Sequence, residues 1–247
     1  MIEVKNLTKS YIHNGQRNYV FKNLSFKINT GESVALIGGN GAGKSTLLRI
    51  IGGTDFPDAG EVICDKRISW PVGLKGGFQG SLSGRENTRF VSMIFHGNNK
   101  KKIREKINYV ENFADIGKYF DKPFKNYSDG MRSRVTFALS MAFDFDIYLI
   151  DEISAAGDFL FREKCRNILE KKLIDSDFLM VNHNLWSLKP LCQKAFVLNE
   201  GKISEFNNVT DAIKEHKRLL RLKKDNSSLI KKERKRKNKN LIIKTQN

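Results

Sequence analysis

The chain has 247 residues, of which 40% are hydrophobic and 10% aromatic, so collagen-like and wholly disordered proteins are excluded and one large α/β domain or two small ones are expected. No stretch approaches the roughly 18 consecutive apolar residues that a membrane-spanning helix needs, and residues 1–11 contain no apolar segment typical of a secretory signal. The formal net charge of +17 raises nucleic-acid binding as a hypothesis.

Most of this charge lies at the C-terminal end. Residues 217–247 contain 13 Lys and Arg against two acidic residues, a net charge of +11, whereas residues 1–216 keep only +6. We therefore predict a body over 1–216 and a basic tail that starts as a helix and is disordered beyond Asp225. Three hypotheses for the tail stay open: a solvated extension, a segment attracted to an anionic membrane surface, and nucleic-acid binding, which ranks last because the tail contains no aromatic residue.

Short apolar runs separated by longer amphipathic segments predict an α/β fold with a mainly parallel sheet. The runs typical of buried parallel strands are 34–37, 147–150, 178–181 and 195–198. Leu24, Phe26 and Ile28 alternate with polar residues and predict a half-buried strand, and residues 199–204 predict a late hairpin.

Two further segments are predicted to be helical. Residues from about 85 to 123 carry many charges and no strand-like run, which indicates consecutive helices inserted into the α/β body. The segment that starts at Thr210 predicts a helix with Thr210 as its N-cap.

A phosphate-binding loop follows the run 34–37. Residues 38–45 fit the pattern G-x-x-x-x-G-K-[ST] and precede apolar residues at helical spacing, which is the strand–loop–helix context that this motif requires. Glycines let the backbone N–H groups surround phosphate oxygens, Lys44 reaches the β- and γ-phosphates, and the Ser45 hydroxyl binds Mg²⁺. The predicted nucleotide-binding residues here are Gly38, Asn40, Gly41, Ala42, Gly43, Lys44, Ser45 and Thr46.

A second apolar run ends in two acids, Asp151 and Glu152. Carboxylates at the carboxyl end of a buried parallel strand lie where ligands bind in open α/β sheets. Asp151 is suited to Mg²⁺ coordination through water, and Glu152 is suited to activate an attacking water molecule.

The order of these motifs resembles the ATPase subunit of ABC transporters, and the resemblance covers about residues 1–205. Further matching residues are Tyr11 for the aromatic that stacks on adenine, Gln79 for the Q-loop, Ser128, Asp129, Gly130 and Met131 for the signature motif, Asp158 after Ala155, Ala156 and Gly157 for the D-loop, and His183 for the switch histidine. The resemblance implies a RecA-like P-loop sheet with a small antiparallel part. It also implies a helical subdomain of about residues 85–135, inserted between the phosphate loop and the signature.

Catalytic and partner roles follow from the same resemblance. It implies that Gln79 and His183 sense the γ-phosphate beside Glu152, that Gln79 also binds the metal ion, and that the signature acts on the nucleotide of a second subunit. ATP, Mg²⁺, a homodimer and an integral membrane permease are therefore expected, with the permease docked near residues 70–87 and 88–125. No specific nucleic-acid partner is expected.

Residues 68–87, 117–123 and 127–134 more narrowly resemble the capsular-polysaccharide export ATPases of Gram-negative bacteria. This implies an ATPase at the cytoplasmic face of the inner membrane that drives capsular polysaccharide export. The alternatives are O-antigen or teichoic-acid export and, ranked last, a cytosolic ABC ATPase bound to nucleic acid or ribosomes. Asp129 and Met131 depart from the general ABC signature, and Asp129 places a carboxylate near the γ-phosphate, which is expected to slow turnover.

Overall fold

The computed structural model describes residues 1–72, 78–151, 158–182 and 185–224, and these contain two β-sheets and six α-helices. The strands are β1 (Ile2–His13), β2 (Gln16–Ile28), β3 (Val34–Ile37), β4 (Ala59–Cys64), β5 (Ile147–Asp151), β6 (Asp177–Val181), β7 (Lys194–Asn199) and β8 (Lys202–Phe206). The helices are α1 (Lys44–Ile51), α2 (Gly84–His96), α3 (Lys100–Ala114), α4 (Asp129–Met141), α5 (Phe159–Ile174) and α6 (209–224).

The larger sheet has the strand order β5-β6-β3-β7-β8, in which only the β7–β8 hairpin is antiparallel. The four predicted parallel strands and the late hairpin are all confirmed. Successive residues of a strand point to opposite faces of a sheet, so β3 contributes to two cores. Ala35 and Ile37 lie in the core shared with α3, α4 and α5, whereas Val34 and Leu36 lie in the core shared with α1 and the smaller sheet.

The smaller sheet is antiparallel and has the strand order β2-β1-β4. β1 and β2 meet at Asn14–Gly15, where both residues have positive φ angles of 50° and 74°. The prediction recognised only the end of β2 and missed β1 and β4 as elements. An Asn-Gly pair between strands is a strong signal for a two-residue hairpin turn, so this turn was available in the sequence.

Residues 68–72 extend the edge of the larger sheet beside β5, and the prediction missed this pairing. Ile68 and Val72 form isolated parallel bridges with Ile147 and Ile150. The Val72 N–H donates to the Leu149 carbonyl at 2.7 Å.

The predicted helical insertion is confirmed: α2, α3 and two short 3-10 segments separate the phosphate loop from α4. α2 begins with a capping box in which the side chains of Ser83 and Glu86 each accept a hydrogen bond from the other residue's backbone N–H. Arg85 then joins the helices, because its guanidinium contacts Glu111 at 2.5 Å and Asp121 at 2.6 Å. The fold class is therefore α/β as predicted, with a mixed larger sheet, an antiparallel sheet and inserted helices.

The last described helix, α6, begins two residues earlier than predicted. The Asn208 side chain accepts a hydrogen bond from the Asp211 N–H at 2.9 Å, so Asn208 rather than Thr210 caps the helix. Ala212 and Ile213 are buried in the core, and the helix continues to residue 224. The rest of the predicted basic tail, residues 225–247, lies outside the described residues.

Candidate nucleotide-binding site

The phosphate loop connects β3 to α1 in a conformation that needs glycine. Gly43, the N-cap of α1, has a φ of 100°, in the left-handed region. A Cβ atom at Gly43 would lie 2.4 Å from Cγ1 of Val20, and one at Gly38 would lie 2.6 Å from the Leu198 carbonyl oxygen. The loop is therefore packed between β2 and β7, with no room for side chains at these two positions.

Lys44 folds back across this loop. Its Nζ donates hydrogen bonds to the carbonyl oxygens of Gly38, at 2.7 Å, and Gly39, at 3.0 Å. The first N–H groups of α1 have no partner within the helix, and the helix dipole places partial positive charge at this end. Together with the Lys44 ammonium, they make the loop a site for an anion such as a phosphate group.

Ser45 and Thr46 occupy the first turn of α1 but have different surroundings. Ser45 is partly exposed. Thr46 is buried, and its Oγ1 accepts a hydrogen bond from Arg49 at 3.2 Å. The Ser45 hydroxyl is therefore the one more open to a ligand.

A cavity of about 500 Å³ opens beside the phosphate loop. It lies between the β1–β2 hairpin, the loop, the β7–β8 turn and α6, and its lining residues are Tyr11, His13, Asn18, Tyr19, Val20, Gly39, Asn40, Gly41, Ala42, Glu200, Gly201 and Lys223. The structure thus brings the predicted Tyr11 to the same cavity as Asn40, Gly41 and Ala42. Sequence reasoning missed Tyr19, Glu200 and Lys223. No motif in the sequence marks these residues, and only the fold brings them to the cavity.

Tyr11 is oriented by polar groups. Its hydroxyl donates to Asp55 at 3.0 Å and accepts from Arg49 at 3.3 Å, while the ring remains partly exposed. Burial opposes ionisation of Asp55, but hydrogen bonds from Lys9 and Tyr11 outweigh it and hold the pKa of Asp55 below its ordinary value. The flat ring is therefore fixed in place and open to stacking by a nucleobase.

Asp151 ends β5 with a buried carboxylate, 8% exposed. A carboxylate at the carboxyl end of a buried parallel strand lies where ligands bind in open α/β sheets, so Asp151 fits a metal site. No group of three His, Cys, Asp or Glu residues in the described ranges can hold a metal ion by itself. A single carboxylate is a donor that Mg²⁺ accepts, since this ion is bound through one or two protein oxygens together with water and substrate phosphates.

Gln79 lies at the start of the helical insertion and does not line the cavity. Its side-chain amide donates to Ser81 Oγ at 3.2 Å, and its backbone N–H donates to Asn87 Oδ1 at 2.8 Å. The buried Asn87 amide also donates to the carbonyl oxygens of Gln79, Leu82 and Ser83. Asn87, to which the sequence analysis gave no role, therefore fixes the backbone at Gln79.

The predicted signature residues form the start of α4. Ser128 is the N-cap, and its Oγ accepts a hydrogen bond from the Met131 N–H at 3.2 Å. Asp129 is exposed in the first turn, and a Cβ atom at Gly130 would meet nothing nearer than Ser128 Oγ at 3.9 Å. None of these residues is among those that line the cavity beside the phosphate loop.

Asp158 caps α5 and contacts α4. Its Oδ1 accepts from the Phe161 N–H at 2.9 Å, and its Oδ2 accepts from Arg134 at 2.7 Å. The backbone hydrogen bond from Phe161 and the charge of Arg134 lower the pKa of Asp158. Arg134 also donates to the carbonyl oxygens of Ala114 and Asp115 at the end of α3. Glu152, Ala155, Ala156, Gly157 and His183 lie outside the described residues.

Comparison with known proteins identifies the family. Residues 21–155 match the family model described as ABC transporter. The chain belongs to the ABC transporter ATPases. As a member of this family it is an ATP-binding, ATP-hydrolysing subunit. Among its described residues, no helix is long and apolar enough to cross a membrane.

Two relatives of this ABC ATPase are similar to it over almost their whole length. It is 55% identical to the polysialic acid transport ATP-binding protein KpsT of Escherichia coli, over 88% of this chain and 96% of KpsT. It is 40% identical to the capsule polysaccharide export ATP-binding protein CtrD of Neisseria meningitidis serogroup B, over 86% of this chain and 96% of CtrD.

Among solved structures, the ABC ATPase resembles the dimeric structure of MJ0796, a bacterial ABC transporter cassette. The TM-score is 0.66 at 25% identity, and the match covers 84% of this chain and 98% of MJ0796.

Proposed function

We propose that this ABC ATPase hydrolyses ATP to drive an exporter that moves a capsular polysaccharide across the inner membrane. The observation that carries the proposal is its 55% identity to KpsT, a polysialic acid transport protein, over 96% of the length of KpsT. The phosphate loop, the adjoining cavity with Tyr11 and the buried Asp151 provide the chemistry that such an ATPase needs.

The residues around the loop have distinct roles in this proposal. Tyr11 stacks on adenine, and Lys44 with the loop N–H groups and the α1 N-terminus binds the phosphates. Ser45 and Gln79 would hold Mg²⁺ directly and Asp151 would hold it through water. The ion would neutralise charge on the phosphate oxygens of the nucleotide.

Catalysis also needs groups that act on water and on the γ-phosphate. We assign Glu152 to accept a proton from the attacking water, and Gln79 and His183 to contact the γ-phosphate. Glu152 and His183 lie outside the described residues, so these two assignments rest on the motif order.

A homodimer completes the site. Each chain has one phosphate loop and one signature, and the signature residues do not line the cavity of their own chain. The N-terminus of α4, which begins after Ser128, carries partial positive charge and suits an anion offered by a second molecule. Two chains arranged head to tail would therefore form two complete sites.

A permease partner is proposed to dock on α2. Phe90, Met93 and Ile94 are spaced at i, i+3 and i+4, so they share one face of the helix, and all three are exposed. Such an apolar face is unusual in water and suits contact with another protein. This docking would hold the ATPase at the cytoplasmic side of the inner membrane, where the basic tail is drawn to anionic lipid.

Two substitutions test the catalytic assignment. Lys44→Ala should abolish ATP binding and export together, whereas Lys27→Ala, an exposed lysine on β2, should leave both unchanged. Glu152→Gln should retain ATP binding, lose hydrolysis and accumulate as a dimer when ATP is added, as measured by light scattering. A Glu152→Gln protein that stays monomeric and hydrolyses ATP rapidly would contradict the proposal.

The docking face has its own test. Ile94→Asp should prevent co-purification with the permease from detergent-solubilised membranes while the isolated subunit keeps its ATPase activity. Ile174→Asp is the matched control, because Ile174 is 79% exposed at the far end of α5. Equal loss of co-purification in both variants would refute the assignment of α2.

A further inference from the structure

The C-terminal helix α6 forms part of the wall of the nucleotide cavity. Lys223, in the last turn of α6, lines the cavity together with the phosphate loop. One helical turn earlier, Leu220 lies over the loop, with its Cδ2 atom 3.9 Å from where a Cβ of Gly39 would be. A further turn back, His216 is buried, and burial followed by the charges of Lys44 and Lys223 lowers its pKa. Three successive turns of α6 therefore face the phosphate-binding region.

Lys223 is paired with a carboxylate that lines the same cavity. Its Nζ lies 3.3 Å from Glu200 Oε1, in the β7–β8 turn. The side chains are 53% and 71% exposed, so water screens the pair and it contributes little to stability. A phosphate chain bound in the cavity carries several negative charges and would compete strongly with one carboxylate for the ammonium group.

We propose that Lys223 is a nucleotide-binding residue, which leaves Glu200 and donates a hydrogen bond to a phosphate oxygen of bound ATP or ADP. This role is assigned to Lys223 alone and not to the basic residues that follow it in the tail. In this arrangement Glu200 weakens nucleotide binding, since it holds the cation in the empty site and repels the phosphates. This inference rests on the proposed nucleotide site at the phosphate loop.

The two members of the pair therefore have opposite predicted effects. Lys223→Met should raise the Kd of the full-length protein for ADP and for ATP about fivefold, the size expected for one partly exposed charge pair. Glu200→Gln should lower both Kd values by about twofold, because it frees Lys223 and removes a repulsive charge. Lys223→Arg should keep most of the affinity that Lys223→Met loses. The measurement is isothermal titration calorimetry, with thermal melting to verify folding.

Matched controls make the outcome decisive. Lys214 lies on the same helix, is exposed and pairs with Asp211 at 2.9 Å, but it does not line the cavity, so Lys214→Met should leave both Kd values unchanged. A purely structural role for the Lys223–Glu200 pair would move both variants in the same direction and would overturn the inference, as would an unchanged Kd for Lys223→Met. If Lys44→Ala also left binding intact, the proposed nucleotide site itself would be wrong.

Discussion

Tyr127 connects the signature helix α4 to the start of the helical insertion through hydrogen bonds of its hydroxyl. Removing the hydroxyl should therefore weaken this connection. The side chain is 3% exposed, and its hydroxyl accepts a hydrogen bond from the Gly84 N–H at 3.0 Å and donates one to the Phe120 carbonyl at 3.1 Å. Burial raises the pKa of Tyr127, so the hydroxyl stays protonated and able to donate. Gly84 permits this approach because a Cβ there would lie 2.7 Å from the hydroxyl oxygen.

The cost of Tyr127→Phe follows from the groups left without partners. Gly84 is the first residue of α2, so its N–H has no acceptor within the helix, and the Phe120 carbonyl is buried beside it. A buried polar group that loses its partner destabilises a protein by about 1–3 kcal/mol. We expect a loss of about 2 kcal/mol, which corresponds to a fall in Tm of about 4–8 °C for a domain of this size.

The assay combines thermal melting with two functional measurements. Tyr127→Phe should lower the steady-state ATPase rate, because Ser128 follows directly. It should leave the Kd for ADP unchanged, because Tyr127 does not line the cavity beside the phosphate loop. Tyr119→Phe is the control, since the Tyr119 hydroxyl makes no hydrogen bond to the described residues. If the two variants melted within 1 °C of each other, or if Tyr127→Phe weakened ADP binding, the reasoning would fail.

Three further predictions concern charged groups. Arg134→Gln removes the contact with Asp158 and should lower the ATPase rate at unchanged ADP affinity, as measured by a coupled phosphate assay and by titration with ADP; an unchanged rate would contradict it. Asp129→Gly removes a negative charge beside the proposed γ-phosphate position and should raise the turnover rate about twofold to fivefold in a coupled phosphate assay, and a lower rate would oppose this. Burial raises the pKa of Glu32, but hydrogen bonds from Lys194 and Asn29 outweigh it and lower the pKa from 4.5 to about 2. Since a depressed carboxyl pKa stabilises the fold above the unfolded-state value, Glu32→Gln should lower stability at pH 7, and its difference from the wild type should shrink as the pH falls from about 4.5 towards 2; a difference that stayed constant would refute this.

The four parallel strands of the larger sheet could be predicted because each contains a continuous apolar run that is buried on both faces. Val34–Ile37 was predicted with its observed bounds, and the phosphate loop that follows has a motif with its own strand and helix context. β4 was missed because most of its residues are exposed and it pairs with β1, about 50–60 positions away, so its pairing leaves no local pattern. β1 was missed although the Asn14–Gly15 turn signals its hairpin with β2.

The residues of the candidate site also divide into those that a local pattern marks and those whose role depends on the fold. Lys44 and Asp151 were found from local motifs, because the phosphate loop and the end of the strand are each defined by a few consecutive residues. Asn87 and Lys223 were not, because their roles depend on which carbonyl groups or loop the fold brings beside them. A polar residue in a helix is usually solvated, and only the structure distinguishes the exceptions.

The two halves of the proposed ATP site are braced separately within one chain. On the loop side, Gly43 and Gly38 are packed directly against β2 and β7. On the signature side, Arg134 fixes α4 to the end of α3 and to Asp158, and Tyr127 fixes it to α2. Because each half is held by close packing or by several hydrogen bonds, we expect each to move as a unit with the elements that hold it. We therefore expect ATP to act mainly on the contact between two chains, and Arg134 to transmit that contact from the signature helix to the segment before α5.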